Sequence, residues 1–232
     1  MTKRTIRIGI PAWKTGENSI GVTLAYVMLA EQFGEAVFLM PNHEPRFDLD
    51  LLMLPGGPDI NPAMYGQKPS YMTGKPDLQK DYFDAFYLPK YINAGVPVFS
   101  ICRGHQAIAV WAGGTLIQHM SHETNKAEDP YKCVHKINID ENAFPRWREF
   151  TNKPKIDVNS RHHQSVKEGS LPADMIIIAR HDGDNSVEMI AHRTLPIVGI
   201  QGHPEDIYDP DTCDFMNNIL GHLIFEKTSI LA

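Results

Sequence analysis

Phe99-Ser100-Ile101-Cys102-Arg103-Gly104-His105-Gln106-Ala107-Ile108-Ala109 is the stretch on which the reading of this chain turns. The apolar run from Val96 to Ile101 predicts a buried strand that stops at Cys102. Arg103-Gly104 supplies a tight turn, and a helix-like segment continues to Trp111. Strand, sharp turn and helix form the layout of a nucleophile elbow, which lifts one side chain clear of the sheet. The helix N-terminus behind the turn favours an anion, and a nearby imidazole favours a thiolate further. A solitary cysteine is more often a small buried hydrophobe. The Gly104-x-Gln106 pattern and partners found downstream weigh the other way here.

Composition narrows the field. With 232 residues, 42% hydrophobic and 22% charged, the chain suits an ordinary globular α/β domain with a substantial core. A net charge of -6 and the lack of any lysine or arginine run argue against nucleic acid as a partner. No window is long and apolar enough for a membrane span, and the N-terminal residues lead straight into a strand rather than a signal-peptide core. Three cysteines (Cys102, Cys133 and Cys213) at wide spacing, with no C-x-x-C pair, point to reduced thiols in a reducing cytoplasm.

The first half alternates strand and helix signals. Ile6–Ile10, Ala36–Met40 and Leu51–Leu54 read as strands. Gly21–Phe33 reads as a helix with Val22, Tyr26, Leu29 and Phe33 on one face. Asp77 is placed to cap a helix reaching about Ala94, interrupted near Pro89, with Tyr82, Phe83, Phe86 and Tyr87 on its buried side. Such alternation predicts an α/β fold: three layers, a mostly parallel central sheet and helices on both faces. Past Cys133 the rhythm changes. Strand-like runs at Val134–Ile139, Ile156–Val158, Met175–Arg180, Ser186–His192 and Ile197–Gln201 predict an antiparallel extension. A last helix from Pro210 to Phe225 buries Phe215, Ile219, Leu223 and, at its end, Phe225. No repeat or linker interrupts the chain, so residues 1–232 read as a single domain.

A nucleophile needs a base. Val198-Gly199-Ile200-Gln201-Gly202-His203-Pro204-Glu205 is a second apolar strand that ends in a polar cluster. Reacting groups in parallel α/β sheets collect at the carboxyl ends of strands, so His203 and Cys102 occupy matching positions. Glu205 is placed to hold the second ring nitrogen of His203. In Leu54-Pro55-Gly56-Gly57-Pro58-Asp59, a glycine loop again follows a strand. It lacks both phosphate-loop signatures, and it can present a backbone N–H to a developing oxyanion, with the Arg103 N–H as second donor. Histidines at His119-x-x-His122 and His162-His163 raise the question of a metal. Adjacent strand residues face opposite ways, and no H-E-x-x-H or cysteine pair supports zinc, so neither metal nor cofactor is expected.

Four segments carry a resemblance over nearly the whole chain: Leu54–Gly66 (L-P-G-G-P-D-I-N-P-A-M-Y-G), Ile101–Gln106 (I-C-R-G-H-Q), Val158–Val166 (V-N-S-R-H-H-Q-S-V) and Gly199–Glu205 (G-I-Q-G-H-P-E). Together they resemble the class I glutamine-amidotransferase-like fold, flavodoxin-like in its layering. Within it the match is to the gamma-glutamyl-gamma-aminobutyrate hydrolase family, peptidase family C26. The resemblance implies Cys102 as nucleophile, His203 as base then acid, Glu205 as its orienting partner, and Gly57 and Arg103 as oxyanion-hole donors. It implies a small γ-glutamyl amide as substrate, with Gln106, Ser160, His162, His163 and Gln164 at the glutamyl pocket, and it is compatible with a homodimer. Two other functions fit the same residues: a glutaminase component that hands ammonia to a synthetase, and a non-catalytic binding homologue. Three positions depart from the family pattern. Ser100 stands where glycine is usual, a side chain that crowds the turn yet is small enough to be tolerated, His105 replaces an apolar residue, and Gly202 replaces tryptophan and is expected to open or reshape that side of the pocket.

Overall fold

The computed structural model describes residues 4–17, 19–40, 43–120, 134–206 and 209–232; His122 and Cys133 lie outside them. In chain order its elements are β1 (Arg7–Pro11), β2 (Trp13–Gly16), β3 (Ser19–Gly21), α1 (Leu24–Glu31), β4 (Glu35–Leu39), β5 (Leu51–Leu54), α2 (Leu78–Phe86), α3 (Leu88–Asn93), β6 (Val98–Ile101), α4 (Arg103–Trp111), β7 (Leu116–Ile117), β8 (Val134–Ile139), β9 (Lys155–Asn159), β10 (Ser165–Val166), β11 (Met175–His181), β12 (Val187–His192), β13 (Ile197–Ile200) and α5 (Pro210–Phe225).

One sheet organises the molecule, with strand order β4-β1-β5-β6-β13-β12-β11-β8-β9. The first five are mutually parallel, and the remaining four continue the same sheet in antiparallel fashion. Alternation along each strand splits the core in two. Met53, Phe99 and Ile101 pack with Tyr26 and Leu29 of α1 and Phe215, Ile219 and Leu223 of α5. Leu52, Leu54 and Val98 pack on the other face with Leu88, Tyr91 and Ile92 of α3 and Ala107 and Ile108 of α4. Each such side chain fully removed from water contributes about 1.5–3 kcal/mol. Phe225 does not join them and is exposed. It follows Leu223 by two residues, about 200° around a helix, which turns it outward.

Two helices differ from the sequence expectation. The segment from Gly21 does not begin a helix, because Ser19–Gly21 pairs with Trp13–Gly16 as a hairpin, and α1 starts only after the extended Thr23. Asp77 does cap α2, accepting the N–H groups of Gln79 and Lys80, and the helix breaks at Tyr87 ahead of Pro89. Its inner face, however, is charged. Lys80, Asp81 and Asp84 are buried, whereas Tyr82 and Phe86 are exposed. Tyr82 and Phe86 lie tilted against each other on the outside, whereas Phe83 and Tyr87 stack half-buried against the core, as expected of the inner side. The inward charges face a buried guanidinium described below.

β5, β6 and β13 are neighbours, so the loops leaving their carboxyl ends converge. The helix behind β6 approaches closely because Gly104 has no side chain. A Cβ there would stand 2.5 Å from the Leu54 carbonyl oxygen and 2.8 Å from Leu54 Cβ. Backbone cannot yield as a side chain can, so Gly104→Ala should destabilise the fold by about 1–3 kcal/mol. Urea unfolding measures this, and an unchanged midpoint would remove Gly104 from this role.

Candidate active site

Cys102 joins β6 to α4 with φ 52° and ψ -106°, a left-handed-side conformation that costs a non-glycine residue about 1–3 kcal/mol. Its neighbours hold it there. Its N–H donates to the Ile200 carbonyl at 2.8 Å, which ties the elbow to β13, and its carbonyl accepts the Gln106 N–H at 3.2 Å. Ser100 is accommodated at the elbow, as expected of a small residue. The Ser100 hydroxyl donates to the Val198 carbonyl at 3.2 Å, and the paired residue on β13 is Gly199. A Cβ on Gly199 would meet Ser100 Oγ at 2.7 Å and His105 Nδ1 at 2.8 Å, so this glycine makes room for both departures from the family pattern. His105 is wholly buried, and burial pushes its ring down to about 3, leaving it neutral.

His203 follows β13, and its backbone is pinned by Asn159: the His203 N–H reaches both the Asn159 carbonyl and its Oδ1 at 3.1 Å. Its Nδ1 lies 2.7 Å from Glu205 Oε1. The ring and the thiol stand side by side at the Gly56-Gly57 loop. A methyl group on Gly56 would lie 3.2 Å from His203 Cε1 and 3.5 Å from Cys102 Cβ. Burial opposes a charge on the ring, but the Cys102 sulfur and the Glu205 carboxylate outweigh it and raise His203 to about 10. A charged imidazole is thereby held beside the Cys102 sulfur.

Gly56 is held at both ends. Its N–H donates to the Tyr26 hydroxyl at 3.0 Å, and its carbonyl accepts from Lys80 Nζ at 2.9 Å. The Tyr26 phenol is pushed well above its ordinary range by burial and by the neighbouring Glu205 and Cys102, so one hydroxyl touches the loop and feels both reactive groups. The next amide, Gly57 N–H, finds no acceptor among the described residues, and the first N–H groups of α4 lack intrahelical partners by construction. The Arg103 side chain points away from the thiol into the protein. Its Nη1 donates to Asp84 at 2.5 Å and its Nη2 to Asp81 at 2.7 Å, all three groups being buried. Burial drives both carboxyls upward against the pull of the guanidinium between them.

The residues expected at the glutamyl pocket are near one another but mostly engaged. Gln106 Nε2 donates to Gln201 Oε1 at 3.1 Å and to the Gln164 carbonyl at 3.3 Å. Gln164 Nε2 and His163 Nε2 both reach Asp59 of the glycine loop at 3.0 Å, and His163 also meets His119. His162 is buried, with its Nδ1 2.8 Å from the Gln164 carbonyl and its ring beside Glu188. Ser160 Oγ is buried with no hydrogen-bond partner among the described residues. Gly202 leaves no opening. Its hydrogen faces Val158 Cβ and the Asn159 carbonyl, each 3.0 Å from where a Cβ would be, so β9 fills the space assigned to tryptophan. Among the described residues, His203, Glu205 and Asp206 are close enough to share an ion, but Glu205 is bonded to His203 and Asp206 is paired with Arg161.

Sequence reasoning missed three residues here: Tyr26, Lys80 and Asn159. Tyr26 was visible only as part of a helix face. Lys80 lay in a segment whose aromatic residues looked like the buried side. Asn159 was quoted in its motif without a task.

A cysteine on a strained elbow at the carboxyl ends of parallel strands, with a histidine and a carboxylate beside it, fits the class I glutamine-amidotransferase-like proteins, and solved structures show the same fold. A GMP synthase subunit protein from Thermoplasma acidophilum superposes with a TM-score of 0.65 at 20% identity, covering 94% of each chain. PurLQS from Thermotoga maritima gives 0.64 at 16% identity, over 95% of this chain and 100% of that one. The peptidase C26 family model matches residues 13–205, and the chain belongs to that family. It is 28% identical over 203 residues to the glutamine amidotransferase-like protein YvdE of Lactococcus lactis, covering 82% of this chain and 83% of that protein. It is 34% identical over 147 residues to a glutamine-hydrolyzing GMP synthase subunit of Thermococcus kodakarensis, covering 63% and 70%. The family marks the chain as a hydrolase-type enzyme of C–N bonds. Among the described residues no helix is long and apolar enough to cross a membrane.

Two measurements probe the site's electrostatics. In NMR titration of the histidine Cε1 resonances, His203 should stay protonated through neutral pH and lose its proton only near pH 10. Glu205→Gln should lower that value, since the carboxylate favours the cation. A wild-type His203 that titrates near its ordinary value would rule out the ion pair. Arg103→Met leaves two carboxyls buried without their cation, so it should cost about 3–5 kcal/mol in urea unfolding at neutral pH. Both folded-state carboxyls already lie above their ordinary value, and losing the guanidinium raises them further. The loss should therefore shrink as pH falls through those raised values toward the ordinary carboxyl range, and vanish below it.

Proposed function

We propose that the chain hydrolyses the γ-glutamyl amide bond of a small γ-glutamyl amine, of the γ-glutamyl-γ-aminobutyrate kind, and releases glutamate. The observation that supports this most is the pairing of a strained Cys102 with His203, whose other nitrogen is held 2.7 Å from Glu205. The Cys102 thiolate attacks the side-chain amide carbon, and the carbonyl π electrons move to oxygen. That oxyanion is received by the open N–H of Gly57 and the N–H of Arg103 at the head of α4, two donors that need no rearrangement to meet it. His203, charged at rest, acts as acid before it acts as base, the reverse of the order the resemblance implies: it gives its proton to the departing amine as the C–N bond breaks, leaving a γ-glutamyl thioester. The neutral imidazole then takes a proton from water. The hydroxide so formed adds to the thioester carbon, and expulsion of the sulfur regenerates thiolate and imidazolium. Glu205 stabilises the charged ring throughout. Gln106, His162, His163 and Gln164 shape the glutamyl pocket through the bonds described, and Ser160 has a hydroxyl left to give to the glutamyl end. The whole of residues 1–232 acts as one domain in a reducing cytoplasm, where Cys102 stays reduced.

A second reading is favoured by the names of relatives: a glutamine-hydrolyzing GMP synthase subunit and the carbamoyl phosphate synthase small chain. On that reading the same chemistry acts on glutamine and delivers ammonia to a synthetase partner. A panel of γ-glutamyl amines and glutamine, assayed without any partner and followed by intact mass, separates the two. The hydrolase reading expects a γ-glutamyl adduct on Cys102, glutamate release from the amines, and a loss of turnover of at least about 10³-fold in Cys102→Ala. Turnover of glutamine alone would sink it in favour of the glutaminase.

A further inference from the structure

Lys80 is a buried cation that the mechanism so far leaves unused. It sits on the inner face of α2, forms no ion pair among the described residues, and makes two contacts. Its Nζ lies 3.6 Å from the centroid of the Trp13 ring and 2.9 Å from the Gly56 carbonyl oxygen. The stem of the same side chain closes over the following residue, where a Cβ on Gly57 would stand 2.9 Å from Lys80 Cε. Arg103 carries one charge between two carboxylates, so the Lys80 ammonium also helps to balance Asp84 through space. Its hydrogen bond, however, goes to the loop and not to either carboxylate.

The Gly56 carbonyl and the Gly57 N–H belong to one peptide unit, and no cis peptide bond occurs among the described residues. In a trans peptide the two groups point in opposite directions. A donor fixed on the carbonyl therefore fixes the direction of the N–H on the far side. It also draws electron density along the unit, which makes that N–H a stronger donor. Tyr26 holds the preceding amide at 3.0 Å, so the loop cannot rotate about Gly56 without breaking one of the two bonds. Glycine at both positions would otherwise leave this loop free to turn.

We infer that Lys80 is a positioning residue for catalysis: its ammonium clamps and polarises the Gly56–Gly57 peptide so that the Gly57 N–H is aimed at the oxyanion. Negative charge that develops on the substrate oxygen is thereby answered by a cation one peptide unit away, itself out of contact with substrate. The inference rests on the thioester chemistry proposed above and deepens it. The charge on Lys80 is also conditional. Burial and the nearby Arg103 lower its pKa to about 7, against the pull of Asp84, Asp77 and Cys102.

The test is steady-state hydrolysis of γ-glutamyl-p-nitroanilide by wild type, Lys80→Met, Lys80→Arg and Cys102→Ala, with iodoacetamide alkylation of Cys102 as a check on the thiol. Lys80→Met should lower kcat by about 10- to 100-fold, with KM and the alkylation rate within about threefold of wild type. Lys80→Arg keeps a permanent cation. It should recover most of kcat and lose the alkaline decline that wild-type kcat shows through about pH 7. If Lys80→Met does not fold, the Lys80→Arg pH profile decides alone, and a decline unchanged from wild type overturns the clamp. Should Cys102→Ala keep its activity, the thiol reading falls and takes the clamp with it. Should Cys102→Ala be inactive while Lys80→Met keeps kcat within about twofold, the clamp alone falls.

Discussion

The backbone of a single residue, Cys102, sets the terms for everything around it. A non-glycine residue at φ 52° persists only where its surroundings over-determine it. Here β13 takes its N–H, α4 takes its carbonyl, and the next glycine lets the helix press against the end of β5. Those restraints come from the helix that follows β6 and from β5 and β13, the two strands that flank β6, so the strained turn is a product of strand order as much as of local sequence. The thiol is held on a rigid frame, and the flexible-looking glycine loop beside it has to be fixed by other means.

Those means are a buried set of polar groups. Tyr26 and Lys80 hold the two ends of Gly56, Asp59 is held by His163 and Gln164, and Asn159 pins His203. Beneath them Arg103 lies between Asp81 and Asp84 in place of the apolar packing usual under a helix. Such a cluster adds little to stability compared with hydrophobic residues of the same volume, because each charge must be taken out of water. What it supplies is direction: planar groups with fixed partners define where the loop amides and the His203 ring point. This also accounts for the outward Tyr82 and Phe86 of α2, since part of its inner face is occupied by charge.

Periodicity and motif located the strands at Leu51–Leu54 and Val134–Ile139, the helix at Pro210–Phe225, and the break ahead of Pro89, because these depend on local pattern and on the chemistry of proline. They failed where a long-range pairing or a buried charge overrode the local pattern. Gly21 belongs to a hairpin because Trp13 pairs with it, and Tyr82 and Phe86 face out because Arg103 draws Asp81 and Asp84 inward. Ser100, His105 and Gly202 looked like disturbances of the site. Gly199 accommodates the first two, and β9 closes on the third.

By itself, then, the order of residues determined the α/β class, the elbow at Cys102, and the candidacy of His203, Glu205 and the Gly56-Gly57 loop. Each of these is written in consecutive residues whose conformational or chemical preferences are local. Only the folded chain decided which distant groups meet. The ring of His203 stands beside the thiol because β13 lies next to β6, and Lys80 reaches the Gly56 carbonyl because α2 packs its charged face against α4. Contacts of that kind depend on strand order and on the balance between desolvation and pairing of buried charge, and neither quantity is carried by any short stretch of sequence.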